Sequence, residues 1–184
     1  MQLPLQSYFR PLSTVARQHP RLDYPLFPPP RMAVLGCEVQ PLPGIYSLLE
    51  WTADDVARIR PLALAAAFPV YEELAGWMRR GELALPDLQY PLLVFSRPEA
   101  GVLSQSQHDA LWAWFGLPCF EQIRGHDGSL LAQECEARDG FHLAQHIRAS
   151  SLGGHPLDAR CACGQVSPRV WLRPSLALAA NSRD

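Results

Sequence analysis

Runs of hydrophobic residues divide the chain into short segments that are separated by turn residues. The YPLLVFS run at 90–96 predicts a buried strand, and the apolar stretch at 118–123 predicts another. Residues 129–137 and 141–147 flank Asp139-Gly140, a dipeptide typical of hairpin turns, and therefore predict two paired strands. Short extended pieces, a loop containing glycine and proline, and a short last strand are predicted at 31–50, 149–160 and 169–172, respectively.

Three stretches carry the start signals of helices. A Thr-x-x-Asp capping box at 52–55 begins a helix that is predicted to run to about residue 68, with a disturbance at Pro61. A second helix is predicted for 69–80, directly before a glycine that ends it. A third follows a Ser-x-x-Gln capping box and ends at the glycine at position 116.

Composition excludes several classes of function. The net charge is -2 and 18% of the residues are charged, so the chain lacks the basic footprint of a nucleic-acid-binding protein. No run of 18 apolar residues occurs, so no membrane span is predicted, and the N-terminus does not resemble a signal peptide, which predicts a cytoplasmic protein. All the basic residues are arginine. A chain without lysine can form neither a Schiff base nor a P-loop.

The cysteines carry the clearest chemical signal. Their number is five, which is odd, and with no secretion signal this argues against a disulfide framework. Cys161 and Cys163 lie one residue apart before a glycine, while Cys135 and His142 flank the predicted hairpin turn. A turn there brings Cys135 and His142 together, so the sequence offers two halves of one site. Four Cys and His ligands fit a closed, structural zinc site.

Other interpretations of these residues stay open. His146 or His155 could replace His142 as the fourth ligand. The cysteines could also be buried packing residues, or Cys161 and Cys163 could form a redox pair that releases metal on oxidation.

The predicted fold class is α/β, with a mixed sheet, two or three helices and a zinc-stapled, β-rich C-terminal part. Seven of the first 30 residues are proline, which predicts an extended arm at 1–30. A single α/β domain with the zinc site is predicted for 31–175, and a tail for 176–184.

Several of these segments together resemble the middle of the phenylacetate–CoA ligases, a family of the adenylate-forming superfamily. The matching segments are YPLLVFS at 90–96, WFGLP at 114–118, ECE at 134–136, DGFH at 139–142, CACG at 161–164 and SPR at 167–169. The resemblance implies a strand–helix–strand unit, and it implies that the Cys and His positions form a zinc site. It covers less than half of the chain.

The sequence also departs from this family where ATP chemistry takes place. The Ser/Thr/Gly-rich phosphate loop and the ribose-binding aspartate motif are absent, and residues 122–128 stand where the adenine-side motif is expected. A lysine-free chain cannot supply the catalytic lysine of the family's C-terminal lid. The resemblance therefore predicts a non-catalytic zinc-binding protein that binds a protein partner, a second copy of itself or an aromatic acyl-type ligand. The proline-rich arm and the tryptophan-rich third helix suggest the partner, and packing of both into one core explains them equally well.

A rival hypothesis is an enzyme. It would be a small ligase-derived acyltransferase or thioester hydrolase that uses Cys119, Glu121 or His126 in the former adenylate pocket.

Overall fold

The structure, a computed structural model, describes residues 22–25 and 28–174, and these residues form one sheet of nine strands with three α-helices. The sheet order is β2-β1-β3-β4-β5-β6-β7-β9-β8. The strands are Met32–Leu35 (β1), Ile45–Leu48 (β2), Ala63–Ala67 (β3), Leu92–Ser96 (β4), Cys119–Arg124 (β5), Leu130–Glu134 (β6), Phe141–Leu143 (β7), His155–Leu157 (β8) and Arg169–Trp171 (β9). The helices are Ala53–Ile59 (α1), Phe68–Arg79 (α2) and Gln105–Phe115 (α3). The predicted mixed α/β fold is confirmed.

The sheet changes direction at β5. Strands β1 to β5 are parallel to their neighbours, whereas every pair from β5 to β8 is antiparallel. Parallel neighbours need long crossovers, and α2 and α3 supply the crossovers after β3 and β4. The antiparallel half needs only loops between its strands. These loops carry three of the predicted metal ligands, and the fourth, His142, lies on β7.

Both capping boxes form as predicted. The Thr52 hydroxyl accepts a hydrogen bond from the Asp55 amide at 3.3 Å, and the Asp55 carboxylate accepts one from the Thr52 amide at 3.0 Å. Ser104 and Gln107 make the same reciprocal pair at the start of α3. Each box satisfies two amide donors that the first helical turn otherwise leaves unpaired.

The first helix is shorter than predicted, because residues 63–67 form strand β3. Arg60 ends α1 in the left-handed conformation with φ 51°, and Pro61 prevents the helix from continuing. The following Ala-Leu-Ala-Ala-Ala run favours a helix by propensity, but four of its five residues are fully buried between β1 and β4. Small side chains allow layers to pack closely on both faces of a central strand, so tertiary packing overrides propensity here.

Hydrophobic clusters cover both faces of the parallel half. On the helix side, Leu64 and Leu92 pack with Tyr71 and Leu111, and the Tyr71 hydroxyl donates to the backbone oxygen of Leu64 at 2.9 Å. On the other side, Leu22 and Tyr24 of the predicted arm pack against the sheet, and the Tyr24 hydroxyl donates to the Pro91 oxygen at 2.9 Å.

The boundaries of the arm and the tail stay predictions. Residues 1–21, 26–27 and 175–184 lie outside the described part of the chain. Across the residues that the structure does describe, no helix has the length and apolar character needed to cross a membrane.

A second difference concerns the segment at 149–160, predicted as a loop, where His155–Leu157 forms β8 at the edge of the sheet. Most of β8 is exposed, and it pairs with β9 alone. Its sequence therefore lacks the alternation of apolar and polar residues from which a strand is predicted. A separate cluster that includes Ile123, Phe141 and Val170 forms the core of this antiparallel half.

Candidate metal centre

Two loops and one strand position the four predicted ligands. Cys135 follows β6 at the start of the loop to β7, and His142 is the central residue of β7. Cys161 and Cys163 lie on the loop between β8 and β9. Since β7 pairs with β9, the chain that precedes β9 returns next to the hairpin, and the two halves of the site meet.

The ligand atoms of these four residues all lie within 4.8 Å of one another. The Sγ atoms of Cys135 and Cys161 are 3.4 Å apart, and the Sγ atom of Cys163 is 3.3 Å from Nε2 of His142. Two sulfurs bound to a tetrahedral zinc ion at 2.3 Å each lie about 3.8 Å apart. The spacing is therefore close to that of a metal-bound set, and this Cys/His cluster could hold a metal ion.

Tight turns bring the ligands into this arrangement. The Gly164 amide donates to the Cys161 oxygen at 3.1 Å, and the Gln165 amide approaches the Cys163 sulfur at 3.5 Å. In the other loop, Gly140 has φ 82°, and a Cβ placed on it would lie 2.6 Å from the Leu157 side chain. Glycine is therefore required at position 140, where the hairpin loop packs closely against the Leu157 side chain of β8.

A hydrogen bond orients His142. Its Nδ1 is 2.9 Å from the Ser167 hydroxyl, while its Nε2 faces the cysteine sulfurs. A proton on Nδ1 that is donated to Ser167 leaves the lone pair of Nε2 free for a metal ion. Neither His146 nor His155 belongs to the cluster that the described residues form, and both are exposed.

Arg169 connects the two ligand-bearing loops. Its guanidinium donates to the backbone oxygen of Asp139 in one loop and to that of Ala159 in the other, the latter at 2.8 Å. The same side chain is 3% exposed and forms an ion pair with the Asp139 carboxylate at 2.8 Å. Its Nε is buried with no hydrogen-bond partner in the described part of the chain, and its positive charge interacts with Cys135 and Cys161.

The two closest thiols differ in acidity. The pKa of Cys161 is lowered to about 6, chiefly because the backbone amide of Cys163 donates to its thiolate. The pKa of Cys135 is raised to about 12, chiefly by burial and then by the neighbouring Cys161. The two shifts have opposite directions because the two thiols interact with each other, and binding of a divalent cation would displace a proton that they hold.

Of the three residues in the enzyme hypothesis, Cys119 and Glu121 lie two positions apart on β5 and interact with each other, whereas His126 lies elsewhere. Cys119 begins β5, whereas His126 follows the opposite end of that strand and lies 3.6 Å from Glu99. Glu121 is buried, and its carboxylate accepts hydrogen bonds from the Leu103 amide and the Ser96 hydroxyl.

The contact between His108 and Cys119 was not predicted from the sequence. Nδ1 of His108 lies 3.2 Å from the Cys119 sulfur, at an open cleft between α3 and the loop that carries Glu136 and Arg138. Burial raises the pKa of Cys119 to about 12 and lowers that of His108, so both groups are neutral near pH 7. His108 lies on α3 and Cys119 lies on β5, and no sequence pattern indicates a contact between a helix residue and a strand residue eleven positions apart.

The fold is similar to that of a CoA ligase. No protein-family model and no curated protein sequence matches the chain. Among solved structures, an open conformation of 2-hydroxyisobutyryl-CoA ligase in complex with 2-HIB-AMP and CoA matches with a TM-score of 0.55 and 11% sequence identity. The match covers 77% of this chain and 44% of that chain, so the protein spans less than half the length of this structural relative. At this identity the likeness concerns the fold alone.

Proposed function

We propose that this protein is a non-catalytic zinc-binding protein, related to a fragment of the phenylacetate–CoA ligase family, that binds a protein partner or an acyl-type ligand. The observation that carries the proposal is the convergence of Cys135, His142, Cys161 and Cys163 from two loops and strand β7. The similar fold of a CoA ligase supports the relation to acyl-CoA ligases.

The donor set favours zinc. Three thiolates and one imidazole are soft to borderline ligands that suit zinc better than magnesium or calcium, which take oxygen ligands. Four protein ligands complete a tetrahedron and leave no open position for a substrate or water. The role of the ion is therefore structural: it fastens the hairpin loop to the loop before β9. Its thiolates require a reducing compartment such as the cytoplasm.

Elemental analysis of the purified, reduced protein tests the zinc site. We expect one zinc per chain in the wild type and in Cys37→Ser, because Cys37 follows β1 outside the cluster. The Cys163→Ser variant should lose the zinc and show a lower thermal midpoint. Equal zinc content in the two variants would exclude Cys163 as a ligand.

The non-catalytic role rests on the chemistry that these 184 residues can supply. They contain no lysine and no phosphate loop. The Cys119 thiol, which contacts His108 outside the metal cluster, stays protonated because burial raises its pKa. Titration calorimetry with AMP and with CoA tests this role, because tight binding of either compound would favour the enzyme hypothesis.

The cleft beside α3 suits an aromatic acyl-type ligand. Its volume is about 490 Å³, and the Trp112 side chain that lines it is 60% exposed. The Arg138 guanidinium lies over the Phe120 ring at 5.8 Å and offers a positive charge at the same cleft. An aromatic ring could stack on Trp112 while an anionic group faces Arg138.

Fluorescence titration with phenylacetyl-CoA tests this cleft. We expect binding by the wild type and by Trp171→Ala, whose tryptophan is similarly exposed but lies on β9, and loss of binding in Trp112→Ala. If neither the wild type nor the control binds, the acyl ligand is rejected and a protein partner remains.

A further inference from the structure

Two of the four cysteine and histidine ligands form a thiol pair of their own. We propose that a hydroperoxide oxidises Cys135 and Cys161 to a disulfide and thereby displaces the metal ion. The inference rests on the proposed metal site, and it assigns the oxidation to a pair that differs from the neighbouring Cys161 and Cys163.

The contacts within the cluster select this pair. The sulfurs of Cys135 and Cys161 lie 3.4 Å apart, although the residues are 26 positions apart in the sequence. The sulfur of Cys163 lies 3.3 Å from Nε2 of His142 and also interacts with both other thiols, so the choice of pair rests on the close approach of Cys135 to Cys161. A disulfide bond is about 2.0 Å long, so the two sulfurs need to approach each other by about 1.4 Å.

The other two thiols have different neighbours. Cys119 contacts His108 at the start of β5, and Cys37 follows β1 in the parallel half of the sheet. Neither belongs to the cluster of ligand atoms. Cys163 is partly exposed, and the residues that follow it, 164–166, are exposed, so a small oxidant has a short path to the buried pair.

The reaction is balanced with the hydroperoxide as the oxidant. One sulfur of the pair attacks the peroxide, the O–O bond breaks, and a sulfenic acid forms while an alcohol leaves, or water when the oxidant is hydrogen peroxide. The second sulfur attacks the sulfenic sulfur, the S–O bond breaks, the S–S bond forms and water leaves. Two electrons pass from the two sulfurs to the peroxide. The zinc ion leaves as Zn²⁺, and solvent supplies the protons that zinc-bound thiolates lack.

The disulfide replaces the metal as the link between the two loops. Zinc loses two of its four ligands, and His142 and Cys163 alone cannot complete a tetrahedron. The new bond joins the same loop segments that the metal ion joined, so the antiparallel half of the sheet keeps a covalent tether. Oxidation therefore replaces the metal link between the two loops with a disulfide link, and the protein stays folded.

Mass mapping of the zinc-loaded protein tests the proposal. Zinc content is measured first, hydrogen peroxide is added, and zinc release is followed with a chromogenic chelator. Peptides are then separated without reduction. We expect the loss of two hydrogens in mass, a crosslinked peptide that joins Cys135 to Cys161, and zinc release in step with the crosslink. A thiol reductant with added zinc should restore the starting state.

Variants separate this pair from the alternatives. Cys163→Ser should still form the crosslink, whereas Cys135→Ser should not, and Cys37→Ser should behave as the wild type. A crosslink between Cys161 and Cys163, or oxidation to sulfinic acid without a crosslink, would overturn the proposal. If the wild type contains no zinc, the proposed metal site is refuted. The disulfide proposal is still tested on its own, because the crosslink can be mapped in the reduced, metal-free protein.

Discussion

Replacing Arg169 with glutamine should weaken zinc binding although Arg169 is not a ligand. The side chain is almost fully buried and joins the loop that carries Cys135 to the loop that carries Cys161. Glutamine removes the positive charge near the thiolates and is too short to reach both backbone oxygens. The two loops then lose their common partner, and the charge of the thiolates is less well compensated.

The structure allows the size of this effect to be estimated. Loss of a residue that orients metal ligands typically costs about 10- to 100-fold in metal affinity. This range corresponds to about 1.4–2.7 kcal/mol, similar to the net contribution of one or two hydrogen bonds to a charged group. Asp139 is 64% exposed, so water solvates its carboxylate in the variant and the loss stays within this range. Arg169→Lys keeps the positive charge but not the forked geometry of the guanidinium. Its zinc affinity should therefore lie between that of the wild type and that of Arg169→Gln.

Competition with a chromogenic zinc chelator at pH 7.5 measures this affinity. Arg79→Gln is the matched control, because Arg79 is exposed at the end of α2, far along the chain from either loop. An Arg169→Gln protein that binds zinc as tightly as the wild type would refute the reasoning. A variant with unchanged zinc affinity but a lower thermal midpoint would assign Arg169 to the stability of the fold alone.

Three further changes test other parts of the account. Gly140→Ala should lower the free energy of unfolding by about 1–3 kcal/mol, measured in urea, because its Cβ would overlap the Leu157 side chain; Gly153→Ala, also at positive φ but with open space around it, should cost less. Ser167→Ala should weaken zinc binding by about tenfold, because the imidazole at position 142 loses the partner of its Nδ1; an unchanged affinity in the chelator assay would contradict that role. Burial raises the pKa of Glu121 to about 7, so the native protein holds a proton there that the unfolded chain releases near 4.5, and stability falls as pH rises through this window. In Glu121→Gln the part of this contribution that falls between pH 5 and pH 8, about 2.5 kcal/mol, should disappear from the difference between the free energies of unfolding measured in urea at these two pH values.

Much of the candidate site was predictable because its geometry is local. The Asp139-Gly140 dipeptide predicts the hairpin that brings Cys135 and His142 together, and the short spacing of Cys161 and Cys163 predicts the second half. Capping boxes predict the starts of α1 and α3 for the same reason. The pairing of β7 with β9, which joins the two halves, is not local and was not predicted. From the sequence, the two halves are joined only through the chemistry of the ligands and the family resemblance.

The missed features depend on contacts between distant segments. The alanine-rich run of β3 is helical by propensity, and its position between two strands made it a strand. The partner of Cys119 is a histidine on α3, and Arg169 became a link between loops only once β9 had paired with β7 and β8. Neither contact has a periodic or spacing signal in the sequence.

X-ray absorption spectroscopy at the zinc edge tests the central claim most directly, since it reports the atoms bound to the metal in the purified protein. The account predicts three sulfur neighbours at about 2.3 Å and one nitrogen neighbour at about 2.0–2.1 Å. In Cys163→Ser any zinc that remains should have two sulfur neighbours, and Cys37→Ser should match the wild type. A shell made of oxygen and nitrogen atoms, or freshly reduced protein without stoichiometric zinc, would contradict the account.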